Sequence, residues 1–181
     1  MSGYLQLVGS YERSRWLSCA DIPYMKITLV LDNLRSVYNV GSLFRTANAA
    51  GIHKIVLCGT TPTPLDAKGN KRKDFAKVAL GAEETLLWEY SEHTEDALKD
   101  LQQQGLYIIA IEQDARAVDY KTISLKDDQS VVFVLGGEVT GMTPEVLLLC
   151  DVIAEIPMLG TKESLNVTIA GGIAMYRILG L

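Results

Sequence analysis

The chain of 181 residues contains no apolar run of the roughly eighteen residues that a membrane-spanning helix needs, so it is not expected to cross a bilayer. Its start carries no charged-then-apolar order. Residues 1–20 mix Tyr, Glu, Arg and Trp with aliphatics, which argues against secretion. Cysteine is scarce: Cys19, Cys58 and Cys150 are odd in number and widely spaced, forming neither a zinc-ligand pattern nor a disulfide framework. A cytoplasmic location and no bound metal are the expectation. No Gly-x-Gly-x-x-Gly follows the first strand-like run, which argues against a dinucleotide-binding Rossmann domain. No internal repeat or linker interrupts the chain. One domain over residues 1–181 is expected, with 1–25 as an N-terminal extension. Positive charge is also short, at a formal net charge of −5. That total alone speaks against a nucleic-acid binder, but binding depends on local patches.

What the sequence does have is alternation. Short apolar runs at 27–31, 54–58, 86–90, 107–111, 131–135 and 152–156 read as strands. Helical patterns lie at 40–50, 72–80, 94–104, 143–150 and 165–179, with a short helix at 13–19 and polar loops at 32–39, 59–70 and 112–129. Gly51 and Gly105 read as helix stops and Thr94 as a cap, with Glu95 and Asp96 in the first turn where the dipole favours them. Pro144 suits a first helical position, and Ser164 is the expected cap of the last helix. The strand runs are continuously apolar rather than alternating. That is the pattern of an α/β fold with a mostly parallel sheet and helices on both faces.

Lys68, Lys71, Arg72, Lys73 and Lys77 crowd one stretch in which Asp74 is the only acid. They form either a solvated loop leading into a helix or a phosphate-contacting patch. Three further stretches place polar groups just after strands, where ligands bind in open α/β sheets. In 33–47, Asn39 can donate and accept, Gly41 permits close approach, and Arg45 offers a forked donor that suits phosphate. In 135–142 a buried run leads straight into Gly136, Gly137 and Glu138, where a flat ligand can lie against backbone. In 156–167, Pro157 and Gly160 break a strand, and Ser164 and Asn166 stand at a helix start with free N–H groups.

Together these three stretches resemble the ordered motifs of the SpoU (TrmH) family of RNA ribose 2′-O-methyltransferases, within the SPOUT superfamily. The family's Asn…Asn-x-Gly…Arg-Thr-Ala is matched by Asn33, Asn39, Gly41, Arg45, Thr46 and Ala47. Its Gly-x-Glu-x-x-Gly is matched by Gly136, Glu138 and Gly141, and its Ile-Pro-Met…Ser-Leu-Asn-Val by Ile156, Pro157, Met158, Ser164, Leu165, Asn166 and Val167. The match runs from about Ile27 to the C-terminus. One departure is Arg177 after Tyr176, where the family often has Glu; it would alter an ion pair at a dimer contact. The chain resembles the short members, which lack a separate N-terminal RNA-binding domain.

The resemblance implies a C-terminal trefoil knot, which general rules of chain connection would not suggest. It implies S-adenosylmethionine held by Ala110, Ile111, Leu135, Gly136, Gly137, Ile156, Met158, Leu165 and Asn166. The reaction implied is methyl transfer to a ribose 2′-hydroxyl of tRNA or rRNA, with tRNA slightly favoured. A catalytically inactive RNA-binding or ribosome-assembly protein of the same fold is the alternative. Arg45 matches the family's key catalytic residue. A free guanidinium stays protonated, so gripping phosphate and positioning the hydroxyl is the favoured role. Asn39, Glu138, Ser164 and Asn166 would support it, and Arg45, Lys71, Arg72 and Lys73 would contact RNA. A homodimer is expected, pairing through the knot region and the first-motif helix, with Arg45 reaching the partner's cofactor. Gly171 and Gly172 in the last helix fit such a contact, since glycines suit close approach of another backbone.

Overall fold

Residues 25–181 are described by the structure, a computed structural model. The helix expected at 13–19 lies outside them. In chain order the elements are β1 (Ile27–Asp32), α1 (Val37–Ala49), β2 (Lys54–Cys58), α2 (Lys73–Ala79), α3 (Ala82–Thr85), β3 (Leu87–Ser91), α4 (Thr94–Gln103), β4 (Tyr107–Ile111), β5 (Val118–Asp119), β6 (Val131–Gly136), α5 (Pro144–Leu148), β7 (Val152–Glu155) and α6 (Val167–Leu179). A 3-10 turn, Tyr120–Thr122, follows β5. The strands form one sheet in the order β3-β2-β1-β6-β4-β7-β5, parallel at every pairing.

The continuous apolar runs are explained by a core on each face. β1 is buried at every position. Leu29, Leu31, Phe133 and Leu135 pack with Leu43 and Phe44 of α1, Phe75 of α2 and Met175 of α6. Val30, Val132 and Val134 point the other way, into a cluster with Leu98 and Leu101 of α4 and Val146 and Leu147 of α5. Phe44 and Phe75 meet edge to face, ring centroids 5.1 Å apart. Truncating either to Ala would cost about 3–5 kcal/mol. Among the described residues no helix is long and apolar enough to cross a membrane.

Several boundaries differ from the sequence expectation, each for a local reason. α1 begins before 40 because Ser36 caps it, its Oγ accepting the Asn39 N–H at 3.2 Å. α6 begins later than expected. Its cap is Asn166, not Ser164; Asn166 Oδ1 accepts from Thr168 N at 2.9 Å and Thr168 Oγ1 at 2.6 Å. Thr94 does not cap α4. His93 holds that position, and the buried Thr94 hydroxyl donates to Asp32 Oδ1 instead. The loop 112–129 contains β5 and the 3-10 turn, and α3 was not anticipated. Pro144 does take the first helical position of α5, behind the cap Thr143. Gly51 and Gly105 end their helices at φ 73° and 80°.

Candidate functional site

The carboxyl ends of β4, β6 and β7 lie along one edge of the sheet, and the loops that leave them enclose a cleft of ≈ 780 Å³. Ile111, Leu135, Ile156, Met158 and Leu165 line it with apolar side chains. Gly136, Gly137, Glu138, Ser164 and Asn166 also line it. Most of the residues expected to hold a cofactor are thus brought together. Ala110 is not. It is fully buried in the core cluster beneath α4 and α5, one residue short of the cleft.

Two glycines make the cleft's geometry. A Cβ on Gly137 would stand 2.8 Å from the Asn33 carbonyl oxygen, so only glycine lets these two loops cross. Gly141 has φ 63°, and a Cβ there would stand 2.6 Å from Glu112 Oε2. Glu112 was not singled out from the sequence. Its Oε2 accepts the Met142 N–H at 3.1 Å and its Oε1 the Gln113 N–H at 3.0 Å, bracing the second motif against β4. The pairing of a carboxylate after one strand with a glycine in a distant motif leaves no local signal. Gln113 in turn donates to the Glu163 carbonyl at 2.8 Å, tying down the segment between β7 and α6.

The three motifs meet in one chain of side-chain amides. Asn166 Nδ2 donates to Asn39 Oδ1 at 3.3 Å, and Asn39 Nδ2 donates to Glu138 Oε1 at 2.8 Å. Glu138 Oε2 accepts the Arg35 N–H at 3.1 Å. The direction of this chain is dictated from both ends. An ionised Glu138 only accepts, so Asn39 must turn its NH₂ there and its oxygen to Asn166. Asn166 then has its oxygen free for the start of α6, where an acceptor is required. Burial opposes the charge on Glu138. The hydrogen bond from Asn39 and those from the N–H groups of Glu138, Arg35 and Ser36 outweigh it and hold the carboxyl below its ordinary value.

Asp32 behaves in the opposite sense. It is 1% exposed, and burial raises its carboxyl despite hydrogen bonds from Thr94 and Asn33. It is the only buried carboxylate among the described residues. Asn33 sits in the left-handed region at φ 54°, its Nδ2 on Asp32 at 2.8 Å and its Oδ1 accepting the Thr60 N–H at 3.1 Å. Asn33 therefore shapes the loop beneath Gly137.

The residues expected to contact RNA lie outside the cleft. Arg45 is exposed on α1 and does not line the cleft. Glu138, expected to support it, is bound instead by Asn39 and the Arg35 N–H. Ser164 lines the cleft without capping α6. Lys71 pairs with Glu84 at 2.7 Å and Arg72 with Asp74 at 2.8 Å, so two charges of the basic stretch are already matched. Lys68, Lys73 and Lys77 are exposed. Burial pushes the Cys58 and Cys150 thiols up to about 12, so neither supplies a thiolate. Among the described residues no group of three His, Cys, Asp or Glu is placed to hold a metal.

Comparison with known proteins bears on this arrangement. Residues 26–176 match the model of the SpoU rRNA Methylase family. The chain is 33% identical over 154 residues to the 23S rRNA (guanosine-2'-O-)-methyltransferase RlmB of Ralstonia nicotianae, a stretch that covers 83% of this chain and 57% of that protein. Against the RlmB of Pseudomonas aeruginosa the figures are 32% over 153 residues, 84% and 58%. The chain spans a little over half the length of these curated relatives. Among solved structures, an AdoMet-bound rRNA methyltransferase from Sinorhizobium meliloti superposes with a TM-score of 0.76 at 28% identity, covering 90% of this chain and 60% of that one.

Proposed function

The chain belongs to the SpoU rRNA methylase family, and from that premise we propose that it transfers a methyl group from S-adenosylmethionine to a ribose 2′-hydroxyl of ribosomal RNA. The observation that carries this reading is the Asn166–Asn39–Glu138 chain at the cleft, which links all three motifs. The expectation of tRNA as the favoured substrate is replaced by rRNA, because the curated relatives are named for 23S rRNA methylation. The relatives lend the inactive alternative no support. We place the activity in the cytoplasm.

The cleft residues fit the cofactor. Gly137 lets the loop after β6 cross the loop after β1, and the apolar side chains of Leu135, Ile156, Met158 and Leu165 suit an adenine ring. Bound there, S-adenosylmethionine would supply a sulfonium methyl for the ribose oxygen and leave as the neutral thioether, the hydroxyl proton passing to solvent. The chain's own part is orientation. Glu138 and Asn39 fix the loop after β6 against α1, and Asn166 fixes the start of α6 against both. Arg45 grips the phosphate next to the reacting ribose and holds the hydroxyl in line, a contribution worth several kcal/mol.

A homodimer completes this site. Its support is that Arg45 stands exposed outside its own cleft, while Ile169, Ile173 and Tyr176 form an exposed stripe on α6 at 52%, 39% and 39%. We read the segment between β7 and α6 as the threaded part of a trefoil knot, with Gln113 holding it. The test is complementation. Arg45→Ala and a cleft-defective Asn166→Ala chain, each inactive as a homodimer, are mixed and assayed on unmodified rRNA. Activity in the mixture is the expected result. No methylation of rRNA by the wild-type protein would sink the proposal.

A further inference from the structure

We infer that Glu112 makes the cleft selective for a cationic ligand over its neutral counterpart, so that the methyl donor is held more tightly than the spent thioether; this rests on reading the cleft as an S-adenosylmethionine site. The two ligands share their ammonium, carboxylate, ribose and adenine groups. They differ in one methyl and one charge: the sulfur is positive with three carbon substituents and neutral with two. A cleft that senses charge senses whether the methyl has gone.

Glu112 follows β4 directly, and its carboxylate is built into the cleft wall. The backbone N–H groups of Gln113 and Met142 each satisfy one oxygen, at 3.0 and 3.1 Å. Gly141 leaves the space that Oε2 occupies. Each oxygen has accepted one hydrogen bond and retains capacity toward a ligand. No Lys, Arg or His lines the cleft. Two of the other three acids there are engaged elsewhere, and the third is open to solvent. Asp114 is bound by Arg116 through both oxygens, at 2.8 and 3.2 Å. Glu138 is held by Asn39 and the Arg35 N–H. Glu163 is exposed beside the exposed Lys162.

Glu112 is thus a wall carboxylate without a matching cation among the described residues. The start of α6 opposes it with about half a positive charge, which the full charge of a carboxylate outweighs. In a cleft of ≈ 780 Å³ a sulfonium stays within roughly one Debye length of it. For a part-solvated pair at such range the expected preference is roughly five- to tenfold in dissociation constant.

The experiment is calorimetric titration of the full chain with S-adenosylmethionine, S-adenosylhomocysteine and sinefungin, which carries an amine where the donor has its sulfonium methyl. Wild type should bind the two cationic ligands more tightly than the thioether. Glu112→Gln keeps an oxygen for Met142 and removes the charge; it should bring all three within about twofold, mainly by weakening the cationic pair. An unchanged ratio in the variant, or no preference in wild type, overturns the inference. If wild type binds none of the three, the reading of the cleft itself is wrong. Should the variant not fold, the wild-type ratio is measured from low to molar salt: a ratio that narrows supports the role, and a flat one refutes it.

Discussion

Asn166 serves two masters through one amide, and the two services separate by substitution. Its oxygen caps α6 and its NH₂ holds Asn39. Asn166→Asp keeps the cap, adds a charge that the helix start favours, and turns an acceptor against the Asn39 oxygen. Asn166→Ala loses both. The expected outcome is that Ala lowers stability by about 1 kcal/mol while Asp does not. Both should lose most methyl transfer. Urea melts and an rRNA methylation assay read the two effects separately. Asp32 makes a prediction in pH. Its folded carboxyl is raised above the ordinary 3.8, so its contribution to stability is fully present below that value and is lost as pH rises through the raised one. Asp32→Asn cannot ionise. The variant should therefore gain on wild type as pH climbs above 3.8, and the gap should close again in acid. Urea melts at a series of pH values check it; a gap independent of pH would contradict it. Of these residues, Asn39, Glu138 and Asn166 were legible because they lie in recognisable motifs. Asp32 and Glu112 were not, because their importance depends on partners far along the chain.

At the scale of elements, the strongest signal in the sequence is the apolar strand run. β1, β2, β4 and β6 fall within a residue of their expected bounds because burial on both faces leaves no choice of side chain. Helix starts are harder. Ser164 and Asn166 are both good caps, and only the path of the chain out of the cleft decides between them. β5 and α3 are too short to impose a period. The paired glycines of α6 look like one feature in the sequence, yet the structure divides them. A Cβ on Gly171 would meet Leu135 Cδ1 at 2.6 Å and Leu43 Cδ2 at 3.2 Å, so a side chain here makes these two core leucines shift within the chain itself. On Gly172 the nearest neighbour would be Thr46 Cγ2 at 3.6 Å, an ordinary contact. Gly171→Ala should lower stability by about 1–3 kcal/mol through overpacking. Gly172→Ala should leave the fold intact and, if a second copy packs there, weaken association. Sedimentation beside thermal melting tests this; a fully dimeric Gly172→Ala chain would exclude a close backbone contact at that position.

The whole molecule is acidic, and its basic stretch is weaker than its composition suggests. With Lys71 and Arg72 matched by Glu84 and Asp74, the cations left for phosphate are Lys68, Lys73 and Lys77. Neutralising those three should flatten the log–log salt dependence of RNA binding, its slope falling by roughly 0.7–0.9 for each phosphate no longer neutralised. Neutralising Lys71 and Arg72 should change it less, and the reverse order would show that the ion pairs open on binding. The sheet order has a consequence in time. β1 pairs on one side with β2, which is close in sequence, and on the other with β6, so that Ile27 waits for Val131. On a ribosome adding about 5–20 residues per second, that apolar edge stays open for roughly 5–20 s. Until β6 emerges, β1, an interior strand of the finished sheet, is an edge able to pair with any other nascent chain nearby. Successful synthesis of this protein therefore depends on how well that edge is shielded while the second half of the chain is still being made.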